Sequence, residues 1–252
     1  MIRGLYAAAR GMVVESKKQE VISNNLANIN TTGYKKDFIL VESFTKELLS
    51  RIGKEGPLPL AAIGESPLLH SIVTNFSPGV LEETGRSLDL ALTGPAFFAL
   101  QTPEGLRYTK DGSFGIDSQG YLVSSDGYYV LDVTGQSIRA AGHHVVIDGD
   151  GAVFSGDGQV FLARLWLPVF SPDDLERLEK RGQNLFEAVE VEPAAQGIGQ
   201  VRQGALEKAN LDIIREMVDM ITVMRIYEAN QRSLQAQDEL LGKSINEVGR
   251  LR

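Results

Sequence analysis

The stretch that decides the fold is IIREMVDMITVMRIYEANQRSLQAQDELLGKSINEV, residues 213–248. It contains no proline, and its apolar side chains return alternately after four and three positions. Nine of the eleven positions in this series are apolar. A heptad repeat this long is typical of a helix that packs along another helix, because ordinary core helices run about 8–20 residues. The series is Ile213, Met217, Met220, Met224, Tyr227, Gln231, Leu234, Asp238, Leu241, Ile245 and Val248.

Two polar residues mark the predicted start of this helix. Asn210 is the predicted N-cap, since its side-chain oxygen can accept a hydrogen bond from a first-turn N–H. Asp212 would then lie in the first turn, where a negative charge interacts favourably with the helix dipole.

The N-terminal segment has a similar spacing and is the predicted packing partner. Small side chains at residues 7–9 permit close approach, and Gly33 can adopt the left-handed conformation that ends helices. The helix is therefore predicted to end near residues 28–32. The two ends of the chain are expected to pair with each other or with other subunits. The spaced positions are Leu5, Ala8, Met12, Gln19, Ile22, Leu26 and Ile29.

The segment SNNLANINTTGYKK, residues 23–36, concentrates four asparagines at the end of this helix. Asparagine is a poor helix former, so its presence requires a reason. A buried amide can fix the register of packed helices, because misalignment leaves a donor or acceptor unpaired at a cost of about 1–3 kcal/mol. We predict this role for Asn24, Asn25 and Asn28. The alternative is that they cap the helix and shape its exit loop, the role expected of Asn30.

Glycine separates the middle of the chain from its end. Residues 92–165 hold 12 of the 26 glycines, whereas residues 205–252 hold two and no proline. Residues 108–132 alternate short apolar runs with Asp-Gly and Gln-Gly pairs, and residues 145–170 repeat the pattern. These are strong signals for antiparallel hairpins.

Two further helices are predicted, one before and one after the hairpins. Ser171 as N-cap, Pro172 at the first helical position and Gly182 as terminator predict one short helix. A second helix, followed by a connector over residues 53–79, is indicated by the spacing of Phe38, Val41, Phe44, Leu48 and Ile52.

The predicted fold class is therefore α+β, with two domains. Long N- and C-terminal helices, residues 1–34 and 205–252, form a coiled-coil-like terminal domain for assembly. Residues 35–204 form a central β-rich domain, in which residues 35–80 are partly connector.

Composition excludes several classes of function. The formal charge of −8 over 252 residues argues against nucleic acid, whose phosphates require a basic face. Cysteine is absent, so neither a disulfide nor a thiolate site is possible. No apolar run is long enough for direct membrane insertion, and the first 30 residues do not read as a cleavable signal peptide.

No constellation of reactive side chains is found. His143 and His144 are adjacent on a predicted strand, so they point to opposite faces and cannot share a metal ion. Asp148, Asp150 and Asp157 suggest a calcium loop, but an EF-hand register from the first of them fails at two ligand positions. They are better interpreted as turn residues. We predict no catalytic, cofactor-binding or metal-ligating residues and no enzymatic activity.

Five blocks in the same order resemble the bacterial flagellar basal-body rod and hook proteins, especially the rod subfamily. They are SNNLANINTTGYKK (23–36), FSPGVLEETGRSLDLALTGPAFFAL (76–100), YTKDGSF (108–114), GQNLF (182–186) and residues 203–248. The opening MIRGLYAA is similar to the distal-rod member, while the short length suits the proximal-rod member, so both stay open.

The resemblance implies a self-assembling structural subunit of the basal-body rod, which crosses the cell envelope and transmits torque from motor to hook. It implies export in unfolded form through the flagellar type III apparatus, with terminal helices lining the axial tube and the β domain outside. Its partners would be copies of itself and other rod and hook axial proteins. Two alternatives remain: a cell-wall carbohydrate-processing enzyme built on the β domain, and a monomeric binding module.

The predicted assembly interface combines apolar positions and amides from both terminal helices. It consists of Leu5, Met12, Ile22, Asn24, Asn25, Leu26, Asn28, Ile213, Met217, Met220, Met224, Tyr227, Leu234, Leu241 and Ile245.

Overall fold

The computed structural model describes residues 2–43, 67–140, 145–156, 160–182, 184–191, 193 and 200–249. The helices are α1 (Ile2–Ala27), α2 (Pro172–Leu175) and α3 (Ile213–Gly249). The strands are β1 (Asp37–Ser43), β2 (Pro67–Thr74), β3 (Leu81–Glu83), β4 (Leu90–Thr93), β5 (Phe98–Thr102), β6 (Gly105–Thr109), β7 (Phe114–Ile116), β8 (Leu122–Ser124), β9 (Tyr129–Val130), β10 (Val145–Ile147), β11 (Ala152–Ser155), β12 (Val160–Arg164), β13 (Leu178–Lys180), β14 (Leu185–Ala188), β15 (Gln200–Gln203) and β16 (Ala205–Glu207). The predicted α+β class, with a helix at each end and strands between, is confirmed.

The chain divides into two compact units. The first unit holds α1, α3 and the paired strands β1 and β2. The second unit holds residues 28–36 and the segment from 74 to 211, and so contains β3 to β16 and α2. Strands β1 and β2 thus group with the terminal helices, whereas the sequence analysis had placed them with the β-rich domain.

In the first unit, α1 packs antiparallel along α3. Gly4 near the start of α1 lies against Gln237 near the end of α3, and Asn25 lies against Glu216 at the start of α3. Pairing of the two ends with each other is one of the two arrangements that the sequence predicted.

The helix predicted from the spacing of Phe38 and Val41 is wrong over residues 37–43. These residues form β1, which pairs with β2, and β2 occupies part of the predicted connector. The segment Phe38–Val41 is a continuous run of aromatic, β-branched and aliphatic side chains, which strands accommodate well. The remaining positions of the predicted helix, Phe44, Leu48 and Ile52, lie outside the described residues.

The second unit is built around a seven-stranded sheet with the strand order β13-β14-β6-β5-β9-β8-β7. Strands β7, β8 and β9 are successive antiparallel hairpins, as the Asp-Gly and Gln-Gly pairs predicted. Gly120 and Gly127 occupy their turns with φ of +85° and +84°, values that favour glycine. A separate antiparallel sheet of order β10-β11-β12 contains the second predicted hairpin.

Core side chains cover both faces of the large sheet. Phe98 and Leu100 of β5 belong to one hydrophobic cluster, together with Phe114. Phe97 and Ala99 belong to a second cluster on the opposite face. Successive side chains of a strand point to opposite faces, so the uninterrupted apolar run around Phe97 fills two cores at once.

The predicted helix at Ser171 begins as expected but is much shorter. Ser171 caps it by accepting a hydrogen bond from the Asp174 N–H, and Pro172 takes the first helical position. The helix ends at Leu175, and the following residues form β13. Gly182, predicted as the helix terminator, instead has φ of +69° in the connection between β13 and β14.

Candidate assembly interface

The contact between α1 and α3 repeats every seven residues. Gly4 faces Gln237, Gly11 faces Asn230, and two heptads further along Asn25 faces Glu216. The same spacing on both helices keeps one stripe of α1 against one stripe of α3 along the pair.

Two glycines of α1 allow the helices to approach closely. A Cβ atom at Gly4 would lie 2.5 Å from Gln237 Nε2, and one at Gly11 would lie 2.9 Å from Asn230 Nδ2. Glycine in a helix interior costs about 1 kcal/mol relative to alanine. At these positions, the missing side chain leaves room for an amide of the opposite helix.

Much of the packed stripe is polar. Asn25, Glu216 and Glu15 are all buried, as are the apolar residues Val14 and Val223. Glu15 Oε1 accepts an ion-paired hydrogen bond from Lys18 Nζ at 2.8 Å. Between the helices, Asn25 Nδ2 lies 3.5 Å from Glu216 Oε2, so the end of α1 and the start of α3 meet at a polar contact.

Part of the predicted α3 series faces α1. Met220, Tyr227, Leu234 and Leu241 are half-buried, as expected of the packed stripe. The alternating positions between them in that stripe are Glu216, Val223, Asn230 and Gln237. Three of these four, Glu216, Asn230 and Gln237, are polar and so fall outside any apolar series, and Val223 lies one position before Met224 of the predicted series. The seven-residue spacing of Gly4 and Gly11 on α1 is the sequence signal that points to this stripe.

Three other predicted α3 positions lie on its solvent side. Ile213, Met217 and Met224 are between 44% and 48% exposed. The side chain of Ile245 lies outside the described part of the structure. On α1, the predicted positions Leu5, Met12, Ile22 and Leu26 are half-buried.

The first half of α3 thus presents an exposed apolar face. Its seven side chains are each between 41% and 72% exposed, and they occupy about four turns of helix. They are Ile213, Ile214, Met217, Val218, Ile221, Met224 and Ile226. Apolar patches of this extent on a soluble protein are typical of interaction sites.

A groove of about 510 Å³ runs between the two helices. Small side chains, Ala9 and Ser16, contribute to it from α1, and Tyr227 and Leu234 contribute from α3. The remaining lining residues are Met12, Val13 and Lys17. The groove and the exposed apolar face lie on different parts of the same helix pair.

Asn25 holds the end of α1 to the start of β1. Its Nδ2 donates to the Asp37 carbonyl oxygen at 2.8 Å, while the Asp37 N–H donates to its Oδ1 at 3.1 Å. The side chain is completely buried, and Nδ2 also lies 3.5 Å from Glu216 Oε2. These contacts match the alternative role of shaping the exit from the helix, and the predicted register role between helices stays a prediction.

The neighbouring asparagines differ from Asn25 in their surroundings. Asn24 is exposed on α1, and Asn28 is half-buried just beyond its end. Thr31 donates to Asn28 through both its backbone N–H, at 3.0 Å, and its hydroxyl, at 3.3 Å. Asn28 therefore forms the turn that ends the helix, and Gly33 follows with φ of +65° as predicted.

A buried ion pair joins the two terminal segments of the second unit. Lys35 Nζ donates to Glu207 Oε1 at 2.7 Å and to the Ser77 carbonyl at 2.9 Å. Lys110 lies nearby, donating to the Gly94 carbonyl at 2.9 Å. Burial, and then the positive charge of Lys35, lower the pKa of Lys110 to about 8, although Glu207 opposes this shift.

Asn210 is not the N-cap of α3, contrary to the prediction. Asp212 caps the helix, because its Oδ1 accepts from the Ile214 N–H at 2.9 Å. Asn210 instead ties chain segments of the second unit together: its Oδ1 accepts from the Lys36 N–H at 2.7 Å, and its Nδ2 donates to the Asn75 carbonyl at 2.8 Å. The two polar residues are only two positions apart, so the sequence pattern did not separate these roles.

Neither a membrane-spanning helix nor a metal-binding cluster is found in the described ranges. No helix there combines the length and apolar character needed to cross a membrane. Among the same residues, no group of three or more histidine, aspartate and glutamate side chains could hold a metal ion.

Comparison with known families matches both helical ends and part of the β-rich region. The model described as flagella basal body rod protein matches residues 5–35, which include all but the first three residues of α1. The model of the flagellar hook protein FlgE/F/G D1 domain matches residues 91–155. That of the flagellar basal body rod FlgEFG protein C-terminal matches residues 202–247.

Similarity to individual proteins extends over nearly the whole chain. The flagellar basal-body rod protein FlgG of Borreliella burgdorferi is 33% identical, covering 98% of this chain and 98% of the relative. The FlgG protein of Bacillus subtilis is 30% identical, covering 98% and 99%. The chain belongs to the flagellar basal-body rod protein family. The rod protein FlgF of Caulobacter vibrioides is 29% identical over the full length of both chains.

The family matches coincide with the helix pair described above. The two outer matches fall on α1 and α3 of this rod-family chain, the helices that carry the polar stripe, the groove and the exposed apolar face. The β-rich match falls on the second unit.

Proposed function

We propose that the chain is a structural subunit of the bacterial flagellar basal-body rod. It self-assembles through its terminal helices, in a coiled-coil-like arrangement, into the axial tube that transmits torque from motor to hook. The observation that carries this proposal is the exposed apolar face of α3, in a chain similar to rod proteins over nearly its full length.

The energetics of that face support assembly. Fully burying one aliphatic side chain contributes about 1.5–3 kcal/mol, and seven are roughly half exposed on α3. A neighbouring subunit that covered them would add several kcal/mol per contact. The stripe facing α1 pairs the two helices within the chain, while the apolar face provides attraction between chains.

The predicted domains and partners follow from the same proposal. The first unit, with α1 and α3, is the assembly domain, and the second, β-rich unit is the domain outside it. The partners are copies of the chain and other rod and hook axial proteins. The chain reaches the rod through the flagellar type III export apparatus, and its role requires no catalysis.

The test places charges on the exposed face. The double variant Met217→Lys and Met224→Lys should fold normally, because both side chains reach solvent in the isolated chain. It should be secreted but not incorporated into basal bodies, since burying two unpaired charges against a neighbour is unfavourable. Ser233→Lys, at an exposed polar position of the same helix, is the matched control and should be incorporated. Normal motility of the double variant would refute assembly through this face.

A further inference from the structure

The exposed face of α3 contains one narrow ridge suited to a groove. Ile214, Val218 and Ile221 follow the spacing i, i+4, i+7, so they project from one side of the helix. Their side chains are 72%, 55% and 51% exposed. An amphipathic helix that inserts into a groove of a partner uses anchors at this spacing.

The groove of the same helix pair matches this ridge in length and character. It extends along α1 from Ala9 to Lys17, which is about 12 Å at the rise of an α-helix. The ridge from Ile214 to Ile221 is about 10 Å long by the same measure. Ala9 and Ser16 present little side-chain volume, so a third helix can approach closely.

One chain cannot fill its own groove with its own ridge. Gly11 faces Asn230 and Asn25 faces Glu216, so Val13 at the groove lies level with about residue 228 of α3. Val218 is ten residues from that level, or about 15 Å along the helix. Any contact between ridge and groove therefore joins two chains.

The geometry points to a specific contact between copies: the α3 ridge of one subunit docks in the α1–α3 groove of the next. This inference rests on the proposed function and names the surfaces that would perform it. Because ridge and groove are different surfaces, the contact is heterologous, and its repetition produces an open, head-to-tail assembly rather than a closed dimer.

The size of the contact argues for a second copy in a polymer rather than a stable soluble dimer. The three ridge side chains, even with their exposed apolar neighbours on α3, provide on the order of a few hundred Å² of apolar surface. A stable dimer interface typically buries about 800 Å² per partner. A single ridge contact is smaller, so subunits stay apart in dilute solution and associate when each uses both surfaces.

Cysteine crosslinking tests the contact directly, because the chain contains no cysteine. In the double variant V13C/V218C, the two thiols of one chain are too far apart for a disulfide, whose Cα atoms lie within about 7 Å. Oxidation of isolated basal bodies, or of concentrated protein, should give a ladder of covalent dimers, trimers and longer species. The matched control V218C/S233C replaces the groove position with an exposed residue outside it and should give no ladder.

A charge pair provides a second test that does not depend on disulfide formation. V218K should lower incorporation by about tenfold or more, because a charge is placed in an apolar groove. Adding V13E to the same chain should restore it, since the two charges meet across the contact.

The outcomes separate the contact from the general function. Incorporation without a ladder, or a covalent dimer from V218C alone, would overturn the ridge-in-groove contact and leave rod assembly intact. Failure of the V13E/V218K pair to restore incorporation would overturn it as well. If the wild-type chain were missing from basal bodies, the proposed function itself would fail.

Discussion

Lys35 and Glu207 form an ion pair that is almost completely buried. Lys35 Nζ lies 2.7 Å from Glu207 Oε1, and the two side chains are 1% and 3% exposed. The same carboxylate oxygen accepts from the Gly79 N–H at 2.7 Å, and the ammonium also donates to the Ser77 carbonyl. One pair therefore joins the segment that follows α1, the loop before β3 and strand β16.

Glu207→Gln should strongly destabilise the second unit. The substitution leaves the buried Lys35 ammonium without its counter-charge, and breaking such a pair typically costs about 3–5 kcal/mol. Urea unfolding followed by the fluorescence of Trp166, the single tryptophan, measures the change because this residue packs against the second core cluster.

The adjacent pair Lys208–Glu82 is the matched control. Its atoms are 3.0 Å apart, but its side chains are 55% and 54% exposed. Lys208→Gln should change stability by less than about 1 kcal/mol, because solvent screens the charges. Equal effects of the two substitutions would show that burial of Lys35 and Glu207 does not determine their contribution.

The stability of the second unit should rise between pH 8 and 9.5. The pKa of Lys110 is lowered from 10.5 to about 8 by burial, so in this range the unfolded chain binds the proton that the folded chain has released. Stability then increases by at most about 1.4 kcal/mol per pH unit. Lys110→Met should remove this increase.

The measurement should stop below pH 10 because Tyr108 has the opposite effect above it. Burial raises the pKa of Tyr108 from 10.0 to about 12, so the folded chain keeps a proton that the unfolded chain loses. Stability falls with rising pH in that range. A flat profile from pH 8 to 9.5 in the wild-type chain would contradict a lowered Lys110 pKa.

Asn25→Leu should lower the stability of the first unit by about 2 kcal/mol. The substitution removes both hydrogen bonds between the buried Asn25 side chain and the half-buried Asp37 backbone, and each such bond contributes about 0.5–1.5 kcal/mol. Thermal unfolding followed by helical circular dichroism measures the change. Trp166 fluorescence, which reports on the second unit, should keep its midpoint.

Asn24→Leu is the natural comparison for Asn25→Leu, because it alters the exposed neighbour. Its effect on helical unfolding should stay within about 0.5 kcal/mol, as is usual for surface positions. If Asn24→Leu and Asn25→Leu had the same unfolding midpoint, the hydrogen bonds of the buried Asn25 side chain would not be what stabilises the end of α1.

Gly11→Leu should separate α1 from α3. Its Cβ would lie 2.9 Å from Asn230 Nδ2, and overpacking of this kind typically costs about 1–3 kcal/mol. Asn230→Ala in the same chain should recover part of the loss, with a coupling of about 0.5 kcal/mol or more in a double-mutant cycle.

Gly242→Ala tests whether helix propensity alone, without packing between helices, explains the effect of substituting a helical glycine such as Gly11. A Cβ there would meet no atom within 4 Å, so the substitution should stabilise α3 by up to about 1 kcal/mol. Additive effects of Gly11→Leu and Asn230→Ala would contradict direct packing between these two positions.

The sequence by itself determined the features that depend on local chemistry. The length of α3 follows from its sustained heptad spacing, and the hairpins of β7 to β9 follow from turn dipeptides that favour glycine at positive φ. The cap at Ser171 and the end of α1 before Gly33 are local signals of the same kind. These interactions involve residues close in the chain, so a short window of sequence contains all the relevant partners.

Only the tertiary structure decided which face of α3 packs against α1. A heptad of apolar residues predicted one stripe, but the packed stripe includes Asn230 and Gln237 because Gly4 and Gly11 of the opposite helix leave space for their amides. The burial of Glu207 is likewise decided by the tertiary structure, because its partner Lys35 is 172 residues away in the chain. A side chain's burial depends on the shape of a distant surface, and that shape exists only after both segments have folded together. The apolar residues displaced from the packed stripe remain at the surface of α3, where they are available to a neighbouring subunit.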